Sequence, residues 1–556
     1  MKTFVRRHAV TWMFASLLLT ISIHAQEDPH ANCAAMGWVP REILERPVPL
    51  HTGTGNSADI ATTKSADALA FYQQGLNYLH GYVWIEAARS FNQALRLDPQ
   101  MALAYWGLSR TYSGLDDQEA AVTAARRAQE LAKDATPREQ HRIALRLQQL
   151  DAIADLANET RFAAYKQAID KALVADFDDV ELWLIRGNAE EQTAAGRGQR
   201  GFAASVAFYL QGLKVAPGNG AANHYLTHSY ENLNRIDDAL KHGEIYASLA
   251  PAVPHAHHMW GHDLRRVGRL DEAIAAFSRT DQLEKAYYAQ EKIPAGMDWH
   301  HVHNLDLLAT SYEHKGQMRR AEELLREAAR IPPVTEYQSF NQKSLAIFLL
   351  GRQRWNDALA AAKPLIASNG AATRVVGHAF AGHAWLGRRN LEAARHELEE
   401  STRALEEVPT LSAGIRVNRA AIQPYVDALR AEIMLWEGKS AEGAALLMDV
   451  QKRLRALPGP DAWTQALFRF EAFARTARAV GNWELAEFTA RQMLEHDGAY
   501  AGSHFAMAMV AEHRDDRALS RQELAAASQY WRDADRNLKE LEEVRRLQQR
   551  DALVAN

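Results

Sequence analysis

The sequence predicts an all-α fold, a solenoid of about nine to ten stacked helical hairpins, and three observations predict it. Ala is abundant, β-branched runs are scarce, and Gly and Pro gather between segments, the composition of a chain that is helical throughout. Small and apolar residues recur with a period close to 34 residues. At 556 residues the chain is also too long for one ordinary core. A repeat array meets all three conditions, because each hairpin buries its apolar face on the next.

Residues 1–25 read as an export signal. Lys2, Arg6 and Arg7 precede a mostly apolar stretch from Ala9 to Ile23, too short for a comfortable membrane span, and Ile23-His24-Ala25 offers a small residue before a cut ahead of Gln26. Cleavage removes three basic residues and takes the net charge from −5 to −8. A retained anchor is the competing reading, but no second apolar segment of spanning length follows. The expected location is periplasmic or extracellular, with no stable membrane insertion after cleavage. The small net charge and the lack of a basic stripe argue against a nucleic-acid partner. Cys33 is the only cysteine, so no intrachain disulfide forms and packing alone must hold the fold. It reads as a free thiol, with metal ligation as the weaker reading.

Residues 26–64 match no repeat. Trp38, Pro40, Pro47, Pro49, Gly53 and Gly55 predict an irregular but ordered arm, which either caps the first hairpin or lies in the groove of the solenoid. The array is expected over residues 65–514. From Ala68 to Met101, Gly75 and Ala87 are small where two helices cross, Tyr78 and Phe91 fill the space between hairpins, and Asp98-Pro99 stops the second helix. Ala94 completes the pattern. Tyr105, Leu108, Tyr112, Ala121 and Ala128 repeat it at once, and Leu226, Tyr230, Ala239 and Pro251 repeat it later, followed by Trp260, Gly261, Ala273 and Phe277. Thr136 to Thr160, Gly196 to Gly201 and Tyr288 to Trp299 read as insertions. A highly charged helix from about Ala518 to Gln549 suits a C-terminal cap spanning 515–556.

On these residues the chain resembles the tetratricopeptide repeat (TPR) family. The resemblance implies a right-handed superhelix whose concave groove is lined by the first helix of each hairpin, and a scaffold that binds a protein, peptide or other ligand there. The family's groove-facing positions are the second, fifth, ninth, twelfth and thirteenth of each repeat. In the unit from Gly220 these include His224 and His228; from Pro254 they include His255, His258 and His262; from Val302 they include His303, Asp306 and His314. His378 holds the fifth position of a later unit. His257 falls at a position packed inside the hairpin.

Ten of the 23 histidines lie between His224 and His303. The pairs His224/His228 and His258/His262 each place two imidazoles on one helix face, and they stand 34 residues apart, one repeat. Neighbouring helices lie about 8–10 Å apart, so His224, His228, His258, His262 and His303 are the candidate ligands of a transition metal, Zn, Cu or Fe. Asp306 or Asp263 would add an oxygen or orient a ring, and His300 and His301 either join the site or line an insertion. Recognition of a partner without metal, or a pH-sensitive surface, would use the same residues. The alternative from another class is a metal-dependent hydrolytic or oxidative enzyme in this groove. His396-Glu397-Leu398-Glu399-Glu400 lacks the second histidine of a zinc-protease motif, and no nucleophile elbow or phosphate loop is present. The residues therefore weigh against an enzyme without deciding the matter, and assign no catalytic residue.

Overall fold

The structure, a computed structural model, describes residues 39–155, 158–190, 203–409, 419–457 and 460–555. The expected export signal, Cys33 and the expected loop at 196–201 lie outside the described residues. Among those residues the regular secondary structure is entirely helical. A short helix, α1 (Arg41–Leu44), lies in the arm. The array follows as pairs: α2 (Ala66–His80) with α3 (Trp84–Leu97), α4 (Ala102–Gly114) with α5 (Gln118–Leu131), α6 (Pro137–Ile153) with α7 (Glu159–Ala175), and α8 (Val180–Asn188) with α9 (Ala203–Val215). The middle pairs are α10 (Gly220–Asn232) with α11 (Ile236–Leu249), α12 (Pro254–Arg266) with α13 (Leu270–Glu291), and α14 (Trp299–His314) with α15 (Met318–Arg330). A short α16 (Glu336–Asn341) then leads into α17 (Lys343–Gly351), which pairs with α18 (Trp355–Ile366). The last pairs are α19 (Ala371–Gly387) with α20 (Leu391–Glu406), α21 (Arg419–Trp436) with α22 (Ser440–Ala456), α23 (Pro460–Ala479) with α24 (Trp483–His496), and α25 (Ala501–His513) with α26 (Arg517–Tyr530); α27 (Lys539–Ala555) closes the chain.

Local chemistry sets these boundaries. Ser65 caps α2 by accepting from the Ala68 N–H, and Thr136 caps α6 in a reciprocal box with Glu139. Small residues let the first hairpins close. A Cβ on Gly75 would stand 2.6 Å from Phe91 Cε1, and one on Gly107 would stand 2.4 Å from its Cζ, so a single phenyl ring fills the space that two glycines leave. The hairpin turns pivot on one left-handed residue. Gly268 and Gly316 take this role without strain, whereas Tyr82 (φ 57°) and Asn234 (φ 58°) take it against the preference of a side-chain-bearing residue.

Three expected insertions or caps look different in three dimensions. Most of Thr136 to Thr160 folds into α6 and the start of α7, a hairpin of the array. Tyr288 continues α13, so the excursion before Trp299 is confined to the stretch after Glu291, where Lys292 turns left-handed. The charged C-terminal helix is broken at Trp531: α26 completes the last hairpin, and α27 alone covers its end.

The arm does more than cap the first hairpin. Asp59 accepts from Tyr72 on α2 and forms a paired ion contact with Arg142 on α6, while Asn56 Nδ2 donates to Gly218 O at 2.7 Å, and the Ala252 N–H donates to Gly53 O at 2.9 Å. It thus ties the first hairpins to the middle of the array. The far end returns as well: Arg265 donates to Thr464 Oγ1 at 2.9 Å, Gln465 to Asp306 Oδ2 at 3.3 Å, and His314 meets Asp497 at 2.9 Å. The first-helix face of α12 and α14 is enclosed between the two ends. No helix of the described residues is long and apolar enough to cross a membrane.

Candidate metal centre

The helix positions expected to look into the groove do look inward, but the solenoid is closed there. His224, His228, His255, His258, His262, His303, Asp306 and His314 are all buried, His224, His228 and His258 completely. The expectation of an open groove at these residues is corrected by the contacts across the solenoid, which link residues more than 150 positions apart. His257, expected inside its hairpin, is only half-buried, with Nε2 3.0 Å from Pro251 O.

The five expected ligands do not converge on one point. They divide into two triads, and His255 joins the first. In each of the sets His224, His228, His255 and His258, His262, His303, one ring nitrogen per residue lies within 4.8 Å of the other two. Neither Asp306 nor Asp263 belongs to a triad, and His314 is drawn away to Asp497. His378 and His383 bond separate carboxylates, Glu397 and Glu432.

Hydrogen bonds on the far side of the rings determine which nitrogens turn inward. Asn304 Nδ2 donates to Phe277 O at 3.0 Å, which orients the amide so that Oδ1 accepts from His258 Nδ1, also at 3.0 Å. His258 therefore carries its proton on Nδ1 and directs an Nε2 lone pair inward, toward His262 Nε2. Those two Nε2 atoms stand 2.8 Å apart. His262 Nδ1 lies 3.5 Å from the Glu231 carboxylate. In the first triad, His224 Nδ1 donates to the His80 carbonyl at 2.5 Å, and its Nε2 stands 2.9 Å from His228 Nε2. His300 bonds Glu284 through Nδ1; in the neutral network its Nε2 accepts from His255 Nδ1 at 3.1 Å, turning the His255 Nε2 lone pair toward His228 at 3.4 Å.

Burial, and then the neighbouring imidazoles, hold His255 and His258 well below the usual histidine range. Glu284 supplies negative charge one ring further out: although burial opposes its ionisation, His300 and His301 lower its pKa to about 2, and Glu284 in turn raises His301 against the effect of burial. The two triads adjoin. His255 and His258 stack with ring centroids 5.8 Å apart, and His300 touches both, at 5.0 and 4.3 Å.

Aromatic rings wall the cluster. Tyr82 lies 4.6 Å from His224 and 5.3 Å from His255, Tyr246 stacks on His224 at 4.7 Å, Phe277 lies 5.5 Å from His258, and Trp299 lies 4.8 Å from His300. Sequence reasoning missed Tyr82, Glu231, Asn304 and the His80 carbonyl. Glu231 carried a signal, being seven residues after His224 on the same helix face; Tyr82 carried none, since it arrives from a distant hairpin turn. A third grouping, Asp281, His301 and Glu327, already has its cation: Lys285 Nζ lies 3.0 Å from Asp281 and 2.7 Å from Glu327.

The tetratricopeptide repeat family profile matches residues 102–134, the α4/α5 hairpin. Together with the succession of paired helices, this defines a helical-repeat solenoid suited to binding a protein or other ligand. The chain carries a tetratricopeptide repeat at residues 102–134. No curated protein matches it in sequence. Similar solved structures include the human IFIT1 dimer with m7Gppp-AAAA, at 11% identity over 85% of this chain and 92% of that one, with a TM-score of 0.34. Yeast Tom70 is similar at 13% identity over 87% of this chain and 96% of that one, with a TM-score of 0.31.

Proposed function

We propose that this protein holds transition-metal ions inside its solenoid, one in each histidine triad. The observation that carries the reading is that each of two buried sets, His224, His228, His255 and His258, His262, His303, brings three ring nitrogens within 4.8 Å of one another. Zinc–imidazole bonds of about 2.0–2.1 Å place tetrahedral ligand nitrogens about 3.3 Å apart, near the 2.9 and 3.4 Å spacings in the first triad. Imidazole donors suit Zn, Cu and Fe. The carbonyl, amide and carboxylate behind the rings are the partners that orient metal-bound histidines and raise their basicity.

Burial favours holding an ion over turning over a substrate, because Tyr82, Phe277 and Trp299 occupy the space a substrate would need. A protein or peptide partner would dock on surface away from these side chains. The chain is proposed to act after export, in the periplasm or outside the cell, on the strength of its basic and then apolar N-terminus; N-terminal sequencing of the mature protein would show Gln26 first.

Titrating metal-stripped protein with Co(II) tests the proposal. Intense visible absorption that saturates, and that falls by about half in His258→Ala, is expected. Absence of any bound-ion spectrum, with Zn(II) and Cu(II) also failing to bind by calorimetry, would contradict it.

A further inference from the structure

A cavity lies in the C-terminal half, lined by residues of α17, α19, α21 and α23. It measures about 290 Å³, and Trp355, Phe380, Trp436, Phe468 and Phe473 contribute to its walls. Four charged side chains, Arg389, Glu432, Arg469 and Arg475, stand among these apolar ones, and Arg475 is bonded to Gly351 O and Glu471. Arg469 is 6% exposed, and its Nη1 and Nη2 have no hydrogen-bond acceptor among the described residues. The guanidinium carbon lies 4.2 Å from the centroid of the Tyr425 ring and 5.5 Å from that of Phe473, so aromatic faces hold the cation in place, with the Tyr425 hydroxyl as a further polar neighbour. The carboxylate that also lines the cavity, Glu432, is engaged by His383 Nδ1 at 2.6 Å.

A buried guanidinium with unused donors is costly, at about 1–3 kcal/mol or more for each group left without an acceptor. The cost persists in a stable fold when a ligand supplies the acceptors. The donors ask for a planar two-oxygen anion, since a carboxylate meets two guanidinium N–H groups in parallel. The walls ask for an apolar or aromatic body, and the volume limits it to a small molecule.

We infer that this cavity is a binding site for a small amphipathic monocarboxylate, its carboxylate on Arg469 and its apolar body against the Trp355, Phe380 and Trp436 walls. The site is separate from the histidine triads and does not depend on their holding metal.

Calorimetry on the full-length protein with 3-phenylpropionate, indole-3-acetate and octanoate tests this, each paired with its uncharged primary amide. At least one acid is expected to bind, and its amide to bind at least tenfold more weakly. Arg469→Met is expected to abolish the preference for acid over amide, and Trp355→Ala to weaken both members of the pair alike. Circular dichroism reports whether each variant folds; should Arg469→Met fail to fold, the acid–amide comparison on the wild-type chain still decides. Failure of all three acids at millimolar concentration, or equal binding of acid and amide, would overturn the inference.

Discussion

At the scale of single residues, the histidine cluster depends on groups that never touch an ion. Asn304 fixes the His258 tautomer because its own Nδ2 is committed to Phe277 O. Asn304→Leu removes that acceptor and frees the ring to flip. Metal affinity should fall by about 10–100-fold, as when other orienting partners are lost, while the protein stays folded; competition with a chromophoric chelator measures it. Glu313 makes a separate prediction. Burial, opposed by Arg352 and reinforced by Glu471, raises its pKa from 4.5 to about 8. Between those values the folded chain binds more protons than the unfolded one, so this group's contribution falls as pH rises from about 4.5 to about 8, by up to about 1.4 kcal/mol per pH unit. Urea midpoints from pH 5 to 8 should decline less steeply in Glu313→Gln than in the wild type. Equal slopes would show that Glu313 ionises normally.

At the scale of elements, each hairpin is a helix pair set by small residues at the crossing and a left-handed pivot at the turn. Phe91 is clamped between Gly75 and Gly107. Gly107→Ala would place a methyl inside its ring and should cost about 1–3 kcal/mol through overpacking, read from urea denaturation; an unchanged midpoint would mean the first two hairpins are loosely packed. Much of this level was legible in the sequence. Gly75, Phe91 and Asp98-Pro99 carry their roles in their chemistry, and the i,i+4 histidine pairs do bring Nε2 to Nε2. Helices at Pro137 to Ile153 were not legible as a repeat, because α6 lacks the small and aromatic residues that mark the motif at its usual spacing.

At the scale of the whole molecule, the solenoid is closed by contacts that no local pattern announces. Tyr82 reaches the first triad from a hairpin turn, Gln465 reaches Asp306, and the arm reaches α6 and α8 through Arg142. Repeat spacing identifies which face a residue occupies; the pitch that decides whether the face is open or enclosed emerges from many such long-range pairs. That is why the expected groove is a buried cluster and why its five expected ligands divide between two triads. Arg142 tests the closure. Its guanidinium pairs with Asp59 of the arm at 2.6 Å and with the buried Asp179 at 2.6 Å. Arg142→Met strands that carboxylate and should destabilise the fold by about 3–5 kcal/mol, with the arm becoming the first site of limited proteolysis. Unchanged protection of the arm would show that it is held by other contacts.

The central claim is that the enclosed histidines hold metal, and elemental analysis of natively purified full-length protein tests it most directly. The measurement is made beside His224→Ala, His258→Ala and the double variant. Close to two ions of Zn, Cu or Fe per chain are expected, one lost with each single substitution and both with the double, as one ion per three-histidine set requires. Metal-free wild-type protein that takes up no ion on titration would contradict the account.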